Sequence, residues 1–316
     1  MKPVKSLIGV QLVLATVLFY SCTMSPNKTI KETTTNGSVK IAVDDSYQLL
    51  SDAELYTFQL LYKDVKVTPI YASEDSILHL FLKDSVKVIL TSRELTENEK
   101  DYLKSKLIFP RKTKIAHDAI AFIINKSNRD SLIRYNTIKD IFTGKISKWK
   151  GINPKSKQND IEVVFDNPGS SNVRFIMKKF QLTGSLPGYC HSTTKSSEVI
   201  DYVEKHPDAL GIISVNWISD PADSISHAFL KKVKVVLVSP EFNSDGDDFY
   251  PPHPAYIANR DYPFIRDVYA INRETFSGTG TGFTSFVAGD HGQRIILRMG
   301  MVPATMPVRL VEIKRE

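Results

Sequence analysis

The chain has 316 residues, 42% of them hydrophobic, with 41 Lys and Arg against 35 Asp and Glu. That length can bury a sizeable core, in two domains, and the net charge of +6 is spread out, without the basic stripe and interleaved aromatics of a nucleic-acid binder. Two cysteines, Cys22 and Cys190, leave no framework for a disulfide-stapled scaffold.

In chain order, Lys2 and Lys5 give a basic start, Leu7 to Tyr20 is almost entirely apolar, and Ser21-Cys22 closes the run. The run is too short and too abruptly ended for a membrane span, and residues 1–22 read as a processing segment. The segment resembles a bacterial lipoprotein signal peptide with Cys22 as the residue to be lipidated. Phe19 and Tyr20 are bulkier than is usual before such a cysteine, and a plain secretory signal is the alternative. Residues 23–37, rich in Thr, Asn and Lys and without periodicity, read as a flexible tether.

The body opens with a strand, Val39 to Val43, and the polar turn Asp44-Asp45-Ser46-Tyr47, then a helix through Leu49, Leu50, Leu55, Phe58 and Leu61. A strand Val65 to Tyr71 leads through Ala72 to Ser76 into a helix Ile77 to Leu82. A strand Val86 to Leu90 ends at Thr91-Ser92-Arg93-Glu94 and feeds a charged helix over Thr96 to Lys106. Repeated strand, polar turn and helix predict a mostly parallel sheet with its polar turns at one edge, where open α/β sheets bind ligands.

A long apolar strand, Ile115 to Ile124, and a helix Ile138 to Phe142 lead to VVFDNPGSSNVRFIMKKF, Val163 to Phe180. Here a short strand runs into Asp166-Asn167-Pro168-Gly169, and apolar residues at Val173, Ile176, Met177 and Phe180 mark one buried helical face. Ser170, Ser171 and Asn172 then sit where first-turn amides lack intrahelical partners. A Gly-bearing turn on a helix N-terminus forms an anion cradle, or else an ordinary capped connection. The lysine of a nucleotide P-loop is missing. Beyond it come a helix Ser196 to Lys205 capped by Ser196 or Ser197, strands Ala209 to Val215 and Val233 to Val238, and a β connection Pro263 to Ile271. Helical patterns over Phe283 to Val287 and Gly292 to Met299 and a closing strand Arg309 to Ile313 complete the chain.

Several separated stretches carry one resemblance: Thr137 to Gly151 (TIKDIFTGKISKWKG), VVFDNPGSSNVRF, Asp208 to Ser219 (DALGIISVNWIS), Tyr262 to Ile271 (YPFIRDVYAI) and Phe283 to Ile296 (FTSFVAGDHGQRII). In this order the chain resembles the phosphate-binding protein of the bacterial high-affinity phosphate importer. The resemblance implies a two-lobed α/β fold of the periplasmic binding protein type (type II) with a hinge of two crossing strands. Lobe 1 would comprise residues 38–123 and 263–316 and lobe 2 residues 124–262. The implied function is capture of inorganic phosphate between the lobes by a lipid-anchored, monomeric protein on the periplasmic side of the cell envelope, with delivery to an ABC permease. The alternative is a sensory or scaffold module that recognises phosphate or another tetrahedral oxyanion without transport. No enzyme activity and no cofactor is implied.

Carried over by motif, the phosphate ligands are Ser46 with the Tyr47 amide, Ser76 or else Ser73, Ser92, and the cradle residues Gly169, Ser170 and Ser171. Neutral donors on helix starts can match four oxygens without the desolvation cost of several lysines. This chain has Arg93 where the family often has a proton-accepting Asp after the third-loop serine, and Phe165 where its cradle often begins with Arg. Arg93 is therefore expected as the displaced counter-charge, with Arg174 a second candidate. Glu74, Asp75 and Glu94 are open as acceptors of a ligand proton or as partners of Arg93. The seven histidines show no metal-ligand spacing, neither Asp44-Asp45 nor Asp245 to Asp248 continues into a calcium loop, and Cys190 beside His191 lacks an oriented partner for nucleophilic work.

Overall fold

A computed structural model describes residues 32–218, 224–243 and 246–306, all but residue 32 within a unit that begins at Thr33. The leader with Cys22, most of the tether and the expected strand Arg309 to Ile313 lie outside the described residues.

The chain first forms β1 (Gly37–Asp44), α1 (Gln48–Leu61), β2 (Val65–Ala72), α2 (Glu74–Leu82), β3 (Val88–Thr91), α3 (Glu97–Ser105) and the long β4 (Arg111–Asn125). Next come β5 (Leu132–Ile133), α4 (Tyr135–Phe142), α5 (Trp149–Ile152), β6 (Glu162–Phe165), α6 (Ser171–Lys179), β7 (Cys190–Ser192), α7 (Ser196–Lys205) and β8 (Ala209–Ser214). The remainder is α8 (Ser224–Lys232), β9 (Val233–Val235), β10 (Leu237–Val238), α9 (Pro254–Asn259), β11 (Ile265–Asn272), α10 (Thr279–Ala288), α11 (Asp290–Arg298) and β12 (Val302–Pro303).

Helix starts follow their caps rather than their first apolar residue. Ser73 accepts from the Ser76 amide and starts α2 ahead of Ile77. Thr96 and Glu99 close a reciprocal capping box on α3. Neither Ser196 nor Ser197 caps α7: Lys195 holds the cap position without a side-chain bond, and the Ser196 amide donates to the Asp45 carboxylate instead. β4 extends past its apolar stretch because Arg111 to Lys114, although polar, pair with β11.

The main sheet runs β2-β1-β3-β11-β4-β8-β6-β7, with β12 and β9 also paired to β4. It is parallel only in its flanks, β2-β1-β3 and β8-β6-β7; β11 and β4 run antiparallel through the middle. The expectation of a mostly parallel sheet therefore holds flank by flank. β4 pairs with β11 up to Ala119 and with β8 from Ile120, so the strand changes partners well before Ile124. Where the chain returns, the Ile120 amide donates to the Phe264 carbonyl and the Tyr262 hydroxyl to the Ile120 carbonyl.

The largest apolar cluster runs through both flanks along β4 and joins Tyr47, Phe58, Phe122, Trp149, Phe165 and Phe264. Two smaller clusters line the outer faces, one around Ile77, Phe81 and Ile89, the other around Ile123, Val199 and Val203. In β8, Gly211 permits close packing of α7: a Cβ there would fall 2.7–2.9 Å from Val203, Ile123 and Val199. Because β1, β2, β3, β6 and β8 each end in a polar turn, the two flanks bring those turns together at their carboxyl ends.

Candidate functional site

The turn after β1 is the hub. The Ser46 amide donates to Asp44 Oδ1 (2.9 Å), while its carbonyl accepts from Asn216 Nδ2 (2.7 Å) and Trp217 Nε1 (2.9 Å) of the turn after β8. The Ser46 hydroxyl lies 3.2 Å from both Asp166 Oδ2 and the Ser171 hydroxyl of the turn after β6. Ser196 Oγ and Asn172 Nδ2 donate to the same Asp166 oxygen. The Ser46 side chain and those of Asp44, Asp166 and Ser171 are fully buried.

Arg266 in β11 completes this cluster. Its Nε donates to Asp118 Oδ2 (2.8 Å) and its Nη1 to Ser171 Oγ (3.0 Å), and its guanidinium lies 5.2 Å from the centre of the Tyr47 ring. Asp118 is steadied in turn by Ser214 Oγ (2.7 Å). Arg266 Nη2 and Asp44 Oδ2, both buried, meet no hydrogen-bonding group among the described residues. Burial alone would lower the guanidinium pKa, but the Tyr47 phenol, Asp118 and Asp44 outweigh it and leave it raised. Burial raises the Asp118 carboxyl against the opposing pull of Arg266. Asp166 is pushed up to about 6, chiefly by burial and further by the Asp44 and Asp45 carboxylates.

A second cluster surrounds Glu74, the first residue of α2 and fully buried. Glu74 Oε1 accepts from Thr91 Oγ1 (2.5 Å), the Ser92 amide (2.8 Å) and Ser92 Oγ (3.0 Å), and Arg174 of α6 forms an ion pair with the same carboxylate. Burial lowers the Arg174 pKa. Gly169 lies against this cluster, since a Cβ on it would stand 3.3 Å from Ser73 Oγ.

The structure thus brings Ser46, Tyr47, Ser92, Gly169, Ser171 and Arg174 to facing turns. Ser170 is there too; its hydroxyl oxygen accepts from the Asn172 and Val173 amides as the α6 cap. Ser73 rather than Ser76 approaches the opposite turn; the Ser76 hydroxyl bonds to Ser73 Oγ at 2.9 Å. Arg93 departs from expectation. Its guanidinium grips Glu99 through two bonds of 2.8 and 2.7 Å and also the Glu94 carbonyl, because Glu99 is fixed by the α3 capping box. The arginine that reaches Ser171 is Arg266. Of the open carboxylates, Glu74 holds Ser92 and Arg174, and Glu94 pairs with Lys112.

Sequence reasoning missed Arg266, Asp118, Asp45, Asn216 and Trp217. One signal was present: β11 alternates, and Arg266 falls on the same buried face as Val268 and Ala270, where a charge demands a partner. Cys190 is partly buried, and burial pushes its thiol up to about 12, far from a ready thiolate. Among the described residues no group of His, Cys, Asp and Glu is arranged to hold a metal ion.

From Ser92, Ser171, Arg174 and Arg266 a cleft of about 1380 Å³ opens outward. Among the described residues seven Lys and Arg line it against three Asp and Glu, so its field favours an anion.

An α/β sheet whose facing turns close on a polar, cation-lined cleft defines the class: a binding-protein fold with its site between two sheet flanks. A family model described as the PBP superfamily domain matches residues 29–291, and the chain belongs to that superfamily. The phosphate-binding protein PstS of Staphylococcus saprophyticus is 24% identical over 227 residues, 71% of this chain and 66% of that protein, just under two thirds of its length. Its counterpart in Staphylococcus epidermidis strain RP62A is 23% identical over 237 residues, 73% of this chain and 68% of that protein. Among solved structures, the putative phosphate ABC transporter substrate-binding protein of Clostridium perfringens with bound phosphate aligns at a TM-score of 0.71 and 23% identity, covering 85% of this chain and all of that one. A human phosphate-binding apolipoprotein aligns at 0.66 and 15% identity, over 84% of this chain and 90% of that one. At these identities the structural matches establish the fold.

Proposed function

We propose that this protein is an extracytoplasmic receptor that captures inorganic phosphate between two lobes and delivers it to an ABC permease, without catalysis of its own. The lobes are residues 38–123 with 263–316, and 124–262, hinged where β4 and the return into β11 cross. The names of the similar proteins, phosphate-binding and transport receptors, support this reading. Cys22, lipidated, holds the receptor to the membrane as a monomer.

The observation that carries the proposal is Arg266. It is buried, donates to Ser171, keeps Nη2 free of any protein acceptor, and stands at the inner end of the cationic cleft. Phosphate takes that donor together with the Ser46, Ser92 and Ser171 hydroxyls and the Tyr47 and Gly169 amides. Arg174, paired with Glu74, holds that carboxylate beside Ser92 in place. Asp44 Oδ2, buried without a donor, accepts a phosphate proton. Sulfate has no proton to give near neutral pH, so it leaves that carboxylate facing an anion.

Calorimetric titration against phosphate, sulfate and arsenate tests this. Phosphate binds and sulfate is rejected. Ser171→Ala weakens phosphate by about 1.5–3 kcal/mol, roughly ten- to a hundredfold, as expected for a bond to a charged group. Arg266→Gln combined with Asp118→Asn, which removes the charged pair together and avoids stranding one partner, weakens it as much or more. Arg93→Ala has little effect, because Glu99 holds that guanidinium. A protein that ignores phosphate, or binds it unchanged after Ser171→Ala, ends the proposal.

A further inference from the structure

The end of α3 breaks a local rule. The Ile108 amide donates to the Leu103 carbonyl and the Leu107 amide to the Lys104 carbonyl, the double bond pattern of a Schellman ending, and Leu107 adopts φ +59°. Helices α2, α4, α6, α9 and α11 also end at a residue of positive φ: Asp84, Gly144, Gln181, Arg260 and Gly300. Those are glycine or polar. Leu107 is the apolar exception, and its side chain is 79% exposed. Folding gains nothing from a leucine there, since the left-handed backbone favours glycine and the side chain stays in water.

Its surroundings share the character. Phe109 is 67% exposed, and Phe276 is 50% exposed. Thr281 joins the two segments: its hydroxyl accepts from Arg111 Nη2 at 3.0 Å and donates to Glu274 Oε2 at 2.8 Å, with the Phe276 carbonyl 3.4 Å away. Lys104, Lys106 and Arg111 are exposed and have no carboxylate partner among the described residues; Lys106 lies over the ring of Tyr102. Thr281 belongs to the first turn of α10, and the neighbouring Thr279 hydroxyl donates to the Thr33 carbonyl. Gly282, one residue on, is pressed against the Thr34 carbonyl. The N-terminal end of the described body therefore enters beside this face. The eleven residues from Cys22 to Thr33 span at most about 40 Å fully extended.

We propose that Leu107, Phe109 and Phe276, with Lys104, Lys106 and Arg111, form a face that rests on the surface of an anionic lipid bilayer. The inference rests on the N-terminal anchor proposed above and adds a second contact. Apolar side chains dip into the interface while the cations meet lipid phosphates. Such a patch adds a second contact beside the anchor and fixes the body's orientation on the surface.

The full chain carrying Leu107→Trp is mixed with phosphatidylglycerol vesicles containing brominated acyl chains. The control carries Phe242→Trp, at an exposed position lining the cleft. The native Trp149 and Trp217 are buried, away from the quencher, and contribute a constant background. The Leu107→Trp emission shifts to the blue and is quenched, the Phe242→Trp emission is not, and adding Lys104→Glu, Lys106→Glu and Arg111→Glu abolishes the difference. Chains that pellet with vesicles but show no quenching at Leu107→Trp overturn this face while leaving the anchor standing. Chains that remain in the supernatant overturn both. A blue shift that grows with protein concentration without vesicles assigns the face to a second copy and also overturns the proposal. Independently, Leu107→Gly raises the thermal midpoint, because it relieves the left-handed leucine. A lowered midpoint shows that the leucine serves the fold and removes the argument.

Discussion

Glu54 illustrates a residue at odds with its surroundings. It lies on the inner face of α1 with Leu50, Leu55 and Phe58, is fully buried, and neither carboxyl oxygen has a partner among the described residues. Burial pushes its pKa up to about 9. Between the unfolded value near 4.5 and about 9 the folded chain holds a proton that the unfolded chain releases. Stability from this group is therefore complete below the unfolded value and is lost as pH rises towards 9. At pH 7 the cost is on the order of 3 kcal/mol. Glu54→Met keeps the length and removes the titration. It should raise the thermal midpoint at pH 8 by several degrees more than at pH 5, measured by circular dichroism. An equal gain at both pH values would mean that the carboxyl finds a charge partner on folding. Arg93 makes the complementary point. The sequence places it in the right loop, but side-chain direction depended on Glu99, which the α3 capping box fixes one turn further on.

At the scale of elements, the approach of α7 to β8 depends on Gly211. A methyl group there would sit 2.7–2.9 Å from three branched side chains, so α7 must shift or the strand must bend. Overpacking of this kind typically costs about 1–3 kcal/mol. Gly211→Ala should lower the midpoint of chemical denaturation accordingly, and Val203→Ala in the same chain should recover part of the loss. If Gly211→Ala were neutral, the packing at α7 would be looser than its geometry indicates. The displacement would also be felt in the cleft, because the first amide of α7 donates to Asp45. Elements of this kind were largely legible in the sequence: the alternation of strand, polar turn and helix from Val39 to Lys106 maps onto β1 to α3 with small changes at the ends. The antiparallel centre was not legible. It is set by pairing between β4 and β11, far apart in the chain, and the local pattern carries no record of strand direction. Ser170 and Ser171 stand out in the sequence because helix starts favour small polar residues, whereas Ser46 and Ser92 were expected from the resemblance alone. Arg266 was passed over because it sits inside a strand whose apolar neighbours dominate the pattern.

At the scale of the whole molecule, the turn after β1 fastens one flank of the sheet to the other. Asp45 receives the Ser196 amide at 2.8 Å, and the Ser46 carbonyl receives Asn216 and Trp217 at 2.7 and 2.9 Å. These bonds join protein to protein, so on the two-lobed reading proposed above they fasten one lobe to the other, and a captured anion would add to that fastening. Each neutral bond contributes about 1 kcal/mol net, enough together to bias a hinge whose two states differ by a few kcal/mol. Asn216→Ala with Trp217→Phe removes both donors to Ser46 while leaving Ser46, Ser171 and Arg266 in place. Small-angle scattering of this variant without phosphate should give a larger radius of gyration than the parent chain, and saturating phosphate should bring the two radii together. The parent should contract less on adding phosphate if, as proposed, these bonds already favour its closed form. If the variant and the parent gave superimposable curves with and without phosphate, the flanks would be held by the β4 core alone, and ligand capture would proceed in a cleft that does not hinge.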